Sequence, residues 1–179
     1  MKNKNIVDSP YFEFLRYCLR EDEAEPKGIA NINWDRLYDF GKKQAILGVL
    51  YHGLQRLSAS DYRPNRQQVL KWYSTYLSIE KANRQAYKDA SALTELLYKN
   101  YGIKGCVLKG QANALMYPDP YMRTPGDIDL WTDAKTLDII RVSRKLDKSG
   151  EIGYHHIELS YFKTPVEIHF FPSFMGNVW

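Results

Sequence analysis

The sequence predicts an α+β fold: a helical N-terminal region packed on a small mixed sheet with flanking helices. Two observations carry this expectation. From residue 10 to residue 100, apolar side chains recur at helical spacing, with capping and breaking residues where helices need them. Beyond Gly102 the apolar runs shorten to strand length and alternate with polar residues. With 44% hydrophobic residues over 179 positions, the chain can bury a core and is not a disordered segment. The expected division is a helical region over 1–100 and a sheet-bearing core over 101–179.

Taken in order, Ser9 reads as an N-cap with Pro10 at the first helical position, and Tyr11, Phe14, Leu15 and Cys18 follow at helical spacing. The acidic stretch from Glu21 to Gly28, interrupted by Pro26, reads as a loop. Asn33 is placed to cap a second helix carrying Trp34, Leu37 and Tyr38 and running toward Ile46. Leu47, Leu50, Tyr51, Leu54 and Leu57 form a third stripe, which Gly48 and Gly53 weaken. Pro64 opens the longest pattern, to Asn100, and Gly102 is a natural stop for it. Its stripe of aromatic and Leu residues is expected to pack a core and brace the sheet.

The stretch from Gly105 to Trp131 organises the rest. Cys106-Val107-Leu108 is suited to a buried strand, with Cys106 as a buried thiol. Lys109-Gly110 ends it and opens a helix expected over residues 111–117. After a loop holding Pro118, Pro120 and Pro125, Asp127 to Trp131 reads as a second strand. Strand alternation sends Asp127 and Asp129 to one face and Ile128 and Leu130 to the other. Two like charges so close are costly to keep ionised without a cation between them. A hard divalent ion takes oxygen ligands, often one or two carboxylates plus substrate phosphates. The Asp-x-Asp pair is therefore a candidate clamp for Mg2+, with Mn2+ as the alternative. Gly110 permits close approach of a ligand to the backbone, the helix start offers free N–H groups to phosphate, and Lys109 adds a full positive charge.

Further on, Asp133 is read as the cap of a helix over residues 134–148, with Leu137, Ile140 and Leu146 inward, and Gly150 ends it. Two strands follow, over residues 154–162 and 165–171, with a bend at Lys163-Thr164. In Val166-Glu167-Ile168-His169-Phe170 the apolar residues share one face, and Glu167 and His169 the other. Arg123, in the Pro-rich loop, is either aimed at phosphate or paired with Asp119. His155, His156 and His169 are candidates for phosphate contact or proton transfer. A cluster of His ligands alone is disfavoured because oxygen donors dominate.

Taken together, LKG at Leu108 to Gly110, YPDPYMRTPGDIDLW at Tyr117 to Trp131 and VEIHF at Val166 to Phe170 resemble the uncharacterised bacterial nucleotidyltransferase family of the DNA polymerase β-like superfamily. The resemblance spans about residues 93–172. It implies a minimal nucleotidyltransferase core, an NTP substrate, divalent metal at Asp127, Asp129 and Glu167, and phosphate contacts from Lys109 and Gly110. Glu167 would be the third carboxylate, as metal ligand or as base, and His156 and His169 resemble positions beside the active site. The superfamily's usual Gly-Ser or Gly-Gly turn is Lys109-Gly110-Gln111 here, so no hydroxyl follows the glycine. The resemblance also implies a further helical region, so the core is read as shortened at its C-terminus or as a short member.

The rival readings are a nucleotide-binding module without turnover and a helical interaction scaffold with an incidental acidic pair. The acceptor stays open among a small molecule, a protein and an RNA end. A formal net charge of +4 gives no strong nucleic-acid signal. Two cysteines make no disulfide framework or zinc site. No apolar run approaches the roughly 18 residues of a membrane span, and the first ten residues lack the apolar stretch of a signal peptide. No membrane partner and a cytoplasmic location are the expectations.

Overall fold

A computed structural model describes residues 9–58 and 62–171. The polar residues 1–8 and the tail from 172 onward, where the shortened end was read, lie outside the described residues. Helices α1 (Pro10–Leu19), α2 (Trp34–Lys43), α3 (Leu47–Arg56) and α4 (Arg66–Tyr101) come first, then β1 (Gly105–Val107), α5 (Gln111–Ala114), β2 (Ile128–Thr132), α6 (Thr136–Leu146), β3 (His156–Leu159) and β4 (Val166–His169). This is an α+β fold. Among the described residues all named strands follow Gly102.

The chain forms two compact units, Met1–Lys81 with Met116–Thr124, and Ala82–Leu115 with Pro125–Trp179. Helix α4 contributes its first part to one and its second part to the other.

In the first unit the predicted caps are in place. Ser9 accepts from the Tyr11 amide, and Asn33 from the Arg36 amide at 3.0 Å. Helix α4 starts later than Pro64 suggested. Asn65 Oδ1 accepts from the Gln68 amide and Gln68 Oε1 from the Asn65 amide, each at 3.0 Å, a reciprocal cap that fixes the first turn. The two glycines of α3 are packing devices. A Cβ on Gly48 would lie 2.0 Å from the Met122 carbonyl oxygen, and one on Gly53 would lie 2.1 Å from Cys18 Sγ. Trp72 is fully buried among Trp34 and Tyr38, with ring centroids at 6.2 and 5.7 Å. Together with Phe14, Leu50 and Leu54 these residues form the unit's core.

In the second unit the sheet runs β1-β2-β4-β3. The central pair β2/β4 is parallel and both outer pairs are antiparallel. Val107, Ile128, Leu130, Ile157, Leu159, Val166 and Ile168 share one face by register, and it packs on Ala90, Leu93 and Leu97 of α4 and Ile139 and Val142 of α6. The other face carries Cys106, Trp131, Asp129, Glu167, His169, His156 and Glu158. Gly102 ends α4 with φ +68°, as its type predicts.

Strands β3 and β4 are shorter than the expected 154–162 and 165–171, and further details depart from the sequence reading. Cys106 is exposed rather than buried, because it lies on the polar face of edge strand β1. Helix α5 stops at Ala114 instead of residue 117: the Leu115 amide turns back to the Ala112 carbonyl, and Pro118 disfavours helical backbone at Tyr117. In α6 the buried residues are Ile139, Val142 and Ser143, and Leu146 packs partly buried on the same core as expected, while Leu137 is exposed, since it sits about 200° round the helix from Ile139. The Lys135 backbone, not Asp133, precedes that helix; Asp133 instead accepts from the Lys104 amide.

Candidate active site

The central strands bring the candidate carboxylates side by side. Asp129 on β2 is the register partner of Glu167 on β4, and in a parallel pair both point to the same face. His169, two residues on, shares that face. Ligand atoms of Asp129, Glu167 and His169 all lie within 4.8 Å of one another, a grouping able to hold a metal ion. A second such group is formed by His156, Glu158 and Glu167, with Glu167 common to both.

Asp129 is almost fully buried, and an ionised carboxylate there needs partners. It has two on one oxygen. His169 Nε2 lies 2.9 Å from Asp129 Oδ1, and Lys109 Nζ lies 3.1 Å from the same atom. The Lys109 side chain is itself mostly exposed. Its hydrogen bond to Asp129 is the main cause that raises its pKa above 10.5, with added pull from Asp129, Asp127 and Glu167 and opposition from burial. Lys109 is thus held as a cation at the edge of the carboxylate group.

Backbone geometry explains how Lys109 reaches that place. The Leu108 amide donates to the Asp129 carbonyl at 3.0 Å, extending the β1/β2 pairing to the residue before Lys109. Gly110 then turns the chain at φ +63°, ψ −106°, where a side chain would be strained. Helix α5 is only one turn long, so its dipole is small, and any phosphate contact at this turn rests on loop amides and Lys109. Gln111, next in line, was not singled out by its sequence. It is buried, and neither atom of its amide has a hydrogen-bond partner among the described residues.

The start of β4 is fixed from α4. Buried Asp89 accepts from the Thr164 amide at 3.0 Å and from the Thr164 hydroxyl at 2.8 Å. The next carbonyl, of Pro165, accepts from the Ile128 amide at 2.9 Å. Asp89 therefore pins the bend that sets Glu167 opposite Asp129.

The other candidates are distributed as follows. Asp127 is half-buried and precedes the first residue of β2. It acts on Lys109 through its charge but belongs to neither metal-capable group. Arg123 follows the 310 turn Pro120–Met122 in the first unit. Asp119 caps that turn, accepting from the Tyr121 amide at 2.9 Å, and its other oxygen accepts from the Tyr76 hydroxyl at 3.5 Å. His155 and His156 stand beside His169, with ring centroids 4.6 Å apart for His155–His156 and 5.3 Å for His155–His169. Glu158 was missed. The signal was the alternation His156-Ile157-Glu158-Leu159, the same polar-in-alternation pattern that marked Glu167 and His169.

A sheet with an Asp/Glu pair on its two central strands, a Lys-Gly turn beside it and an apolar face on helices is what comparison with known families then meets. Residues 30–172 match a family described as an uncharacterised nucleotidyltransferase. The chain belongs to this nucleotidyltransferase family. No curated protein and no solved structure matches it. Membership makes nucleotidyl transfer the relevant chemistry and an NTP the substrate class of this nucleotidyltransferase. No described helix is long and apolar enough to cross a membrane.

Proposed function

We propose that this nucleotidyltransferase moves a nucleoside monophosphate from an NTP to an acceptor hydroxyl with the help of a divalent cation, Mg2+ in the first instance. The observation that carries the reading is the register pairing of Asp129 with Glu167, with Lys109 on the Asp129 oxygen. The donor set suits the cation: two carboxylates on one sheet face offer the oxygen ligands a hard ion takes, and partly buried walls strengthen their hold. Asp129 and Glu167 would hold it, with Asp127 at the strand entrance contributing charge. When bound, the cation neutralises phosphate charge and lowers the pKa of the attacking hydroxyl.

The protein's residues do the rest. Lys109 and the Gly110 turn receive the triphosphate, the ammonium moving from Asp129 to phosphate oxygen. His169 keeps Asp129 aimed at the cation. His156 and His169, on the same sheet face, would contact substrate. Glu167 either ligates or accepts the proton as the acceptor oxygen bonds to the α-phosphorus. The bond from that phosphorus to the bridging oxygen breaks, and pyrophosphate leaves with the electron pair. The acceptor is a small molecule, a protein or an RNA end.

The test is pyrophosphate release from each NTP with Mg2+ or Mn2+, with a cell extract as acceptor pool and intact-mass analysis of the products. The expected result is release that needs both metal and extract and is lost in Asp129→Asn and Glu167→Gln. Nucleotide binding without release under every combination would replace this reading with that of a binding module.

A further inference from the structure

We infer that the sheet face beside β3 carries a second cation position, built by His156, Glu158 and Glu167, whose donors suit a first-row transition cation such as Zn2+, Co2+ or Mn2+ rather than Mg2+. The three residues lie on neighbouring strands and one face: Glu158 is the register partner of Glu167, and His156 that of His169. Their ligand atoms lie within 4.8 Å of one another.

The distances distinguish this group from the Asp129 group. There the imidazole of His169 is spent on a direct hydrogen bond of 2.9 Å. His156 instead stands 3.6 Å from Glu158 through Nε2 and 3.7 Å from Glu167 through Nδ1. Both separations are too long for hydrogen bonds. The Nε2–Glu158 separation matches the spacing of two atoms that share a metal: with bonds of about 2.0–2.2 Å and tetrahedral angles, neighbouring ligands sit roughly 3.4 Å apart.

The surroundings of His156 point the same way. Its Nδ1 lies 3.2 Å from His155 Nε2, so one ring nitrogen is engaged by a neighbouring imidazole and Nε2 is the atom left for a cation. That is the usual arrangement of a metal-binding histidine, whose second nitrogen is oriented by an outer partner. Beside Nε2 the chain carries Gly153. A Cβ there would lie 3.2 Å from Nε2, 3.3 Å from Cε1 and 3.6 Å from Cδ2, over the face of the ring, so the glycine lets the backbone pack against the imidazole and fix its plane. One imidazole with two carboxylates is a mixed nitrogen and oxygen set, which favours Zn2+, Co2+ or Mn2+ over Mg2+. With three protein ligands on one face, coordination positions remain on the solvent side. Glu167 would bridge this cation to the one proposed at Asp129.

The second position shares Glu167 with the site proposed above, yet needs neither nucleotide nor turnover, so it stands or fails separately. The test uses Co2+ on the full chain, stripped with chelator and read by visible absorption, with no nucleotide present. The expected result is a Co2+ spectrum typical of nitrogen and oxygen ligands that excess Mg2+ does not remove. His156→Gln and Glu158→Gln should each weaken Co2+ binding by about tenfold or more, while Asp129→Asn leaves the Co2+ spectrum in place. Glu158 is largely exposed, so its variant is expected to fold even if His156→Gln does not. The proposal is overturned if Co2+ gives no such spectrum, if Mg2+ displaces it at equal concentration, or if the Glu158→Gln chain binds as tightly as the wild type. Pyrophosphate release that fails while Co2+ binds through His156 and Glu158 would sink the transfer reading alone.

Discussion

A carboxylate as buried as Asp129 needs its charge answered inside the protein, and Lys109 and His169 both reach the same oxygen to do so. The repulsion expected between Asp127 and Asp129 is thus already relieved by Lys109 before any metal arrives. A cation bound by Asp129 would have to share that carboxylate with Lys109 or displace the ammonium from it. Burial separates the two thiols: Cys18 is buried and Cys106 exposed. Cys18, packed against Gly53, has its pKa pushed from 9.0 up to about 12 by burial, with Arg56 pulling the other way. Its folded pKa is raised, so the stability gained by keeping it neutral is complete below pH 9.0 and is lost as pH climbs toward about 12. Near neutral pH, a disulfide reagent should therefore modify Cys106 quickly and Cys18 only after unfolding. Two fast thiols in the native chain would contradict the packing of α1 on α3. The two cysteines look alike in sequence, each in an apolar pattern; what separates them is which strand face Cys106 occupies. That depends on pairing with Trp131, a long-range choice that local pattern does not encode. Glu167 and His169 were legible because period-two alternation is local, and the same pattern in His156 and Glu158 was equally available.

At the scale of elements, caps and stops were readable because each is a chemical demand met by a neighbour: Ser9, Asn33 and Gly102 act where their residue types predict. The short α5 and the rotated face of α6 were not, since these depend on a proline four residues past the helix end and on which stripe meets the sheet. The glycines of α3 were read as weakening the helix, and their role is instead close approach. Gly48 lies against the Met122 backbone, and a carbonyl cannot move aside as a flexible side chain can. Gly48→Ala should therefore destabilise the protein by about 1–3 kcal/mol or more, although alanine is the better helix former by about 1 kcal/mol. Urea melts of the two forms measure it. An alanine variant as stable as the wild type would mean that α3 and the turn Pro120–Met122 are not packed as described.

At the scale of the whole molecule, the long-range result is that one compact unit holds Lys109, Gly110, Asp127, Asp129, His156, Glu167 and His169 together. Sequence order leaves nearly sixty residues between Lys109 and Glu167; sheet order β1-β2-β4-β3 closes that gap by inserting β4 next to β2. Binding of nucleotide and metal to that unit has to appear as stability, because a ligand that binds only the native state adds RT ln(1 + [L]/Kd). At a hundredfold excess over the dissociation constant this is about 2.7 kcal/mol, enough for a rise of several degrees in melting temperature. Mg2+ and NTP together should produce that rise in the wild type, with slower amide exchange in β2 and β4. The Asp127→Asn, Asp129→Asn double variant should show no ligand-induced rise. Its unliganded melting point should fall as well, because the change removes the charge that Lys109 pairs with and leaves His169 with an altered partner; the comparison is therefore between shifts, not absolute temperatures. Equal shifts in both proteins would mean that nucleotide binds without these carboxylates. A shift in neither would move the interaction-scaffold reading ahead of catalysis for this chain.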